Sequence, residues 1–399
     1  MRLVRSAFGR CSQSFTGIKN LASGIMNAKN EQLITMNHFS ILCTLLQHAQ
    51  RKFSATSIRK LTKLSERKFQ RAKGQFKLPT PQIIAKSKSR PVRLIIDYVL
   101  ISRNSKTLTY PFSLIFNQNN NQFGPTLSML FAIAEIDGQY YPVAFDFWTQ
   151  QEWDPVNFFS KNELAKYMIT SLYEQGLVIE ELLFDAGFCS AEFLNELNEL
   201  QIPYVCRMKS AWKIDSYGLK RNARQMFGLS RRFYFDRHKS CYVFSRTGQF
   251  GDHKVKLVAI ANSRQRLEGK KFYCLITNQV KLKHTQIFRH YLKRGKIEWF
   301  FKMMKSYLGL EAFFRHDPDV ALIPHIMMRC AGFVLVQALA KSWKRSIEST
   351  LHELKQRSIS EAQECLKEIF DQWAESLIES TKAESVTNQT QTLTLSEIT

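Results

Sequence analysis

No two of the eight cysteines in this chain lie within five positions of one another. That spacing excludes a zinc knuckle and a Cys-x-x-Cys redox pair. His238 and Cys241 stand three apart but lack a second pair of ligands, and they read as structural. Scattered thiols of this kind fit a reducing cytosol rather than a disulfide-stapled domain. The first 30 residues lack a continuous apolar core of signal-peptide length, and with it the expectation of a secretory signal. They also lack any acid, and their five basic residues and several serines give a transit-peptide-like composition. Uninterrupted long apolar runs are missing as well. The one tempting stretch, residues 321–340, is broken by Pro324, His325 and Arg329, so a packed helix is expected there rather than a membrane span. There is no internal repeat, and low complexity is confined to a Ser, Thr, Asn and Gln-rich tail from about Ala383, expected to be disordered.

Acidic residues are scarce: 34 against 57 Lys and Arg, for a net charge of +23 over 399 residues. The imbalance is concentrated at the start, where residues 1–90 carry 18 Lys/Arg and 2 acids, and it reverses over residues 346–399, with 4 and 10. So basic a chain points to a polyanionic partner, nucleic acid first and an anionic membrane surface as the competitor. The length allows a large core and more than one domain.

Along the chain, apolar spacing over residues 37–50 is helical. Residues 54–72 read as two short helices, the first ending near Leu61 and the second capped by Ser65. This is the dimension of a helix-turn-helix, with Arg67, Lys68, Arg71 and Lys73 facing DNA and Phe69 and Ala72 turned inward. A basic helical hairpin without sequence specificity is the alternative. Residues 79–90, with Pro79 and Pro81, read as a polar linker. Strands follow at 91–100, 127–136 and 140–148, the last two joined by an Asp137-Gly138 turn. A helix over 160–175, a strand over 179–185, a helix from Ser190 to about Leu200 and a strand over 203–207 complete the series. Three strands, helix, strand, helix, strand is the order of a ribonuclease H-like α/β fold, in which the first and fourth strands are neighbours. Asp97 and Asp185 would then meet, as a metal bridged by two carboxylates requires. Asp146, in the middle of the third strand, is the rival to Asp97.

Read as one helix, residues 291–305 place Tyr291, Arg294, Glu298 and Lys305 within about 60° of one another along roughly 20 Å. Ile297, Phe300, Met304 and Leu308 form the adjoining apolar arc. A carboxylate among two cations and a phenol suits phosphodiester chemistry, since the acid can hold a divalent metal and the others can grip phosphate oxygens. A solvated amphipathic face is the plain alternative. Between Arg207 and Lys271 lie 17 Lys/Arg and 4 acids, interleaved with aromatic strands, which suits a sheet laid against a nucleic-acid backbone.

The spacing Tyr291, Arg294, Glu298, Lys305, with the continuation Ser306-Tyr-Leu-Gly-Leu-Glu-Ala-Phe-Phe-Arg315, resembles the signature of the DDE transposases of the insertion sequence 4 family. The resemblance covers roughly residues 91–345 and implies a cut-and-paste transposase of a bacterial insertion element, acting in the cytoplasm on the nucleoid. Carried over by residue, Asp97, Asp185 and Glu298 would be catalytic metal ligands for two Mg²⁺ (or Mn²⁺) ions, and Tyr291, Arg294 and Lys305 phosphate contacts. The partner would be double-stranded DNA, as the element's terminal inverted repeats and as target, with no membrane. Relatives place Asp and Thr after the first aspartate, where this chain has Tyr98 and Val99, and Arg after the second, where it has Ala186. The implied organisation is a basic helical DNA-binding module (1–90), a ribonuclease H-like core (91–345) with a β-rich insertion at about 208–282, and an acidic helical segment (346–399) able to pair protomers. Some relatives stack an aromatic of the insertion on a flipped base. Trp212 is the candidate here, with packing beneath the insertion as the other reading. A non-catalytic DNA-binding protein derived from a transposase is the competing function, opposed by the presence of all three carboxylates.

Overall fold

A computed structural model of the chain describes residues 28–48, 55–102, 112–117, 122–151, 158–209, 211–216, 218–227, 233–237, 240–263, 272–312, 322–358 and 360–372. The expectations placed on residues 1–27, on His238 and on the tail from Ala383 fall outside the described residues.

Four helices open the described chain: α1 (Ala28–Gln47), α2 (Ala55–Thr62), α3 (Glu66–Gly74) and α4 (Thr80–Ser87). The α2–α3 pair has the expected form. Lys63 turns the chain at φ 55°, and the Ser65 hydroxyl accepts from Lys68 N to cap α3. Lys73 corrects the expectation that it faces DNA. Arg67, Lys68 and Arg71 are exposed, but Lys73 is only 4% exposed, because it lies one turn from Phe69 and beside Ala72 on the inward face. The expected linker over 79–90 is likewise α4. Pro81 sits in its first turn, where a missing N–H costs nothing, Ile83 is buried, and Thr80 Oγ1 donates to Val143 O at 2.6 Å.

The strands β1 (Val92–Ser102), β2 (Ser113–Asn117), β3 (Gln122–Ile136) and β4 (Gln139–Trp148) are followed by α5 (Lys161–Glu174), β5 (Ile179–Phe184), α6 (Ala191–Glu199) and β6 (Tyr204–Arg207). β1 lies between β3, antiparallel to it, and β5, parallel to it; β4 pairs antiparallel with β3 and β6 parallel with β5. Asp137 and Gly138, at φ 52° and 74°, form the two-residue hairpin between β3 and β4 that their sequence demands. Serine caps both crossover helices: Ser160 exchanges bonds with Glu163 in a capping box, and Ser190 accepts from Phe193 N. β2 and the first turns of β3 pair with each other, a ribbon that the sequence reading did not anticipate.

The sheet continues through β7 (Lys213–Ser216), β8 (Leu219–Asn222), a short α7 (Ala223–Phe227), β9 (Tyr234–Asp236), β10 (Cys241–Phe250), β11 (His253–Ala261) and β12 (Tyr273–Thr277). β12 pairs with β6, and β11, β10, β7 and β8 follow outward. The basic, aromatic-rich segment therefore extends the same sheet.

After it come α8 (His284–Leu292), α9 (Gly295–Lys302), a wide π turn over Met303–Tyr307, α10 (Ile323–Ser342), α11 (Ile347–Gln356) and a last helical stretch over 360–372. Residues 291–305 are thus not one helix. Lys293, Arg294, Lys296 and Ile297 donate three residues back, and Gly295 begins a new helix. α10 is long and apolar enough to cross a membrane by length and composition, yet 78% of its apolar window is buried in the protein.

Alternation along β1 sorts the core. Ile95, Val99 and Ile101 pack with α8 to α11 and with α1 to α3, while Leu94 and Ile96 pack with α4, α5 and α6. Helices α1 to α3 share that first core with the C-terminal ones. α10 approaches α1 so closely that a Cβ on Gly332 would stand 2.9 Å from Leu45 Cδ2. Gln337 exchanges two hydrogen bonds with the Tyr140 backbone, covering part of the free edge of β4.

Candidate active site

Asp97 sits on β1, and Asp185 is the first residue after β5. The parallel register pairs Ile95 with Leu183, so two residues further along each strand bring Asp97 and Asp185 to adjacent positions on one face. The same alternation removes Asp146. It pairs with Leu130 on β3, whereas Asp97 pairs with Phe131, so Asp146 belongs to the opposite face. Its carboxyl is pushed up to about 6 by burial.

The α8–α9 junction delivers a guanidinium between the carboxylates. Arg294 Nη2 touches Asp97 Oδ2 and lies 3.8 Å from Asp185 Oδ2, while Nη1 donates to Glu298 Oε1 at 2.9 Å. Tyr291 OH approaches Asp185 Oδ1 at 3.5 Å, and Tyr98 N donates to Asp97 Oδ1 at 2.9 Å. Solvent access is graded: 18% of the Asp97 side chain, 39% of Asp185 and 64% of Glu298 are exposed. Burial raises the Asp97 carboxyl above its ordinary range; Arg294 and the Tyr98 N–H oppose this, and Asp185 and Glu298 add to it. Burial also works against the Arg294 charge, but Asp97, Asp185, Tyr291 and Glu298 outweigh it, so the guanidinium stays firmly protonated. The buried Tyr291 phenol is pushed well above its usual value, chiefly by desolvation, and remains a donor.

Five of the expected site residues therefore converge: Asp97, Asp185, Tyr291, Arg294 and Glu298. Lys305 lies apart from the carboxylates. The π turn carries it to the end of β1, where Nζ donates to Leu100 O at 2.6 Å and stands 3.5 Å from Glu311. Trp212 stacks on Phe250 with ring centroids 4.9 Å apart. The pair lines an open groove of about 630 Å³ with Lys209, Lys213, Ser190 and Ala191, and Ser190 belongs to the segment that runs from Asp185 into α6. Trp299 packs edge-on to Tyr140 and Phe333, as a core residue.

The donor set is all carboxylate oxygen, the chemistry that Mg²⁺ and Mn²⁺ prefer. Among the described residues no three His, Cys, Asp or Glu groups are close enough to hold one ion together. The carboxylates meet instead through Arg294, with Glu298 on one guanidinium nitrogen and the aspartates on the other. Asp97 and Asp185 stand at adjacent positions by their register, and Glu298, the most exposed of the three, lies on the other side of the guanidinium. One group escaped the sequence reading altogether. Arg93, Glu135, Glu181 and His290 form a charged cluster below the site. Its only trace in sequence is charge within otherwise apolar strands.

Residues 161–328, less than half of the chain, match the family model of the transposase DDE domain. The match runs from α5 into α10 and takes in Asp185, Tyr291, Arg294, Glu298 and Lys305 but not Asp97. No curated protein matches the chain. The match supports a DDE transposase, with DNA as the partner its chemistry requires.

Proposed function

We propose that the protein is a metal-dependent transposase of the insertion sequence 4 type, cutting and joining DNA at the ends of a bacterial insertion element. The observation that carries this reading is the convergence of Asp97, Asp185 and Glu298 on Arg294. A sheet order β4-β3-β1-β5-β6, with three antiparallel strands followed by parallel ones, supports a ribonuclease H-like core. Asp97, Asp185 and Glu298 would hold two Mg²⁺ or Mn²⁺ ions, which supply the Lewis acidity that activates water or a 3′-hydroxyl and stabilises the leaving oxygen. Tyr291 and Arg294 act as donors to the scissile phosphate, and Lys305, near the same end of β1, to a phosphate further along the strand. The Trp212–Phe250 pair, flanked by Lys209 and Lys213, suits a stacked base beside its backbone.

The proposed division is an end-binding module at 1–90, a catalytic core at 91–345 with its insertion at about 208–282, and an acidic segment at 346–399 that pairs protomers in the cytoplasm on the nucleoid. Because α1 and α3 pack into the same core as α10 and α11, the module is best tested in the full chain. Substituting Arg67 and Arg71 together by Ala is expected to weaken duplex binding and to lower the salt slope by about two, since each exposed cation neutralises about one phosphate. An unchanged slope in a filter-binding titration would remove these residues from the DNA interface.

The proposal as a whole is tested by metal removal. The full chain is expected to nick element-end DNA in Mg²⁺ or Mn²⁺, to stop in EDTA, and to recover when the ion is restored. Cleavage that persists in EDTA would exclude a two-metal mechanism.

A further inference from the structure

Four residues before Asp97 on β1 is Arg93, and four before Asp185 is Glu181, each on the face of the sheet that carries its aspartate. Arg93 is paired in register with Glu135 on β3 and Glu181 on β5 and binds both. Nη1 donates to Glu135 Oε2 at 2.7 Å and Nε to Glu181 Oε2 at 3.1 Å, with Glu180 Oε2 3.8 Å from Nη2. Arg93 is 7% exposed and Glu181 2%. The helical layer reaches down to the same carboxylates. His290 Nδ1 lies 2.9 Å from Glu181 Oε1, which Gln279 Nε2 also meets at 2.6 Å, and Lys293 Nζ stands 3.5 Å from Glu135 Oε1. Burial would raise the Glu181 carboxyl, but its bonds to His290, Gln279 and Arg93 outweigh that and hold it below the ordinary range. An ionised carboxylate only accepts, so His290 presents its Nδ1 proton to Glu181.

A buried ion cluster contributes little net stability, because desolvation offsets the attraction between its charges. What it does enforce is geometry. His290 and Lys293 alternate in sequence with Tyr291 and Arg294, at the junction where the helix breaks into three-residue turns. We propose that His290, assisted by Lys293, is a positioning residue. It clamps the end of α8 to β3 and β5 so that Tyr291 and Arg294 are delivered to Asp185 and Asp97. The proposal rests on the assignment of those carboxylates as catalytic.

The test uses the full chain as parent, His290→Ala and His290→Asn, with nicking of a supercoiled plasmid in Mn²⁺ and amide hydrogen exchange over residues 291–298 as separate readouts. Loss of a group that orients catalytic residues costs about 10- to 100-fold, so His290→Ala is expected to lower the maximal rate at least tenfold while leaving the half-saturating DNA concentration unchanged. Exchange at the junction is expected to rise about tenfold as local opening becomes easier. Asn places an amide donor where the imidazole Nδ1 stands and is expected to restore both. Unchanged exchange in His290→Ala overturns the clamp whatever the nicking shows, and so does an unchanged rate. Failure of Asn to restore either assigns the effect to ring packing, which also overturns it. If the Ala variant melts early, Lys293→Ala, a partly exposed side chain, takes its place with the same expected signs. A parent that does not nick in Mn²⁺ refutes the transposase reading instead, and the exchange comparison alone then decides the clamp.

Discussion

Asp185→Ala or Glu298→Ala is expected to abolish strand cleavage and to leave DNA binding intact or slightly tighter. Loss of one carboxylate from the proposed all-oxygen metal cage would remove several kcal/mol of transition-state stabilisation, about a thousandfold or more in rate. Binding does not suffer, because each substitution removes a negative charge from a surface that must approach phosphates. Neither variant should melt much below the parent. Glu298 is 64% exposed, and truncating so exposed a side chain changes stability by less than about 0.5 kcal/mol. Asp97→Asn extends the test to stability. Its carboxyl is raised above 3.8, so the folded chain holds that proton more tightly than the unfolded one. The ionised carboxylate therefore costs nothing at pH values below 3.8, and the cost grows as pH rises from there to the raised value and is fully present above it. At neutral pH Asp97→Asn should melt at or above the parent, without cleavage activity. Thermal melts paired with a nicking time course on one preparation check all three variants. Residual cleavage above a few per cent in Asp185→Ala or Glu298→Ala would falsify the catalytic assignment.

Arg294→Ala is expected to cleave about 10- to 100-fold more slowly, the loss of a charge-assisted phosphate contact worth about 1.5–3 kcal/mol. It should also melt differently from a surface variant. Only 14% of the Arg294 side chain is exposed, and its removal leaves Asp97, Asp185 and Glu298 facing one another without a cation. With solvent reaching Asp185 and Glu298, the destabilisation in EDTA should be modest, about 1–2 kcal/mol or a few degrees. Mn²⁺ should then raise the melting temperature of the variant more than that of the parent, because in the parent the guanidinium competes for the same carboxylates. Scanning calorimetry in EDTA and in Mn²⁺ measures this directly. A variant indifferent to Mn²⁺ would mean that the three carboxylates do not form a metal cage, and one that loses activity only in proportion to unfolding would make Arg294 structural.

Local chemistry was legible in the sequence. Ser65, Ser160 and Ser190 announce helix starts by side-chain capping, Asp137-Gly138 announces a two-residue hairpin, and the β-branched run before Asp97 announces a buried strand. Each rests on interactions within a few residues, so nearest neighbours suffice to read it. The adjacency of Asp97 and Asp185 was legible one level up, from the order of strands and crossovers. Tertiary packing decided the rest. Lys73 is buried because α3 turns that side inward, and α4 stands where Pro79 and Pro81 suggested a linker because the body of the protein supplies a surface for Ile83 and an acceptor for Thr80. The break at Lys293–Gly295 divides Tyr291 from Arg294 and Glu298, and only the fold shows that all three still reach the aspartates' corner of the sheet. The cluster of Arg93, Glu135, Glu181 and His290 contains a direct bond across 109 positions, from Glu181 to His290, and no local rule relates them. What the sequence by itself determined are most of the elements and the residue types able to do phosphodiester chemistry, because propensity, capping and alternation act at short range. Which of those residues meet, and which cation stands between the carboxylates, depended on long-range packing and desolvation, which exist only once the chain has closed on itself.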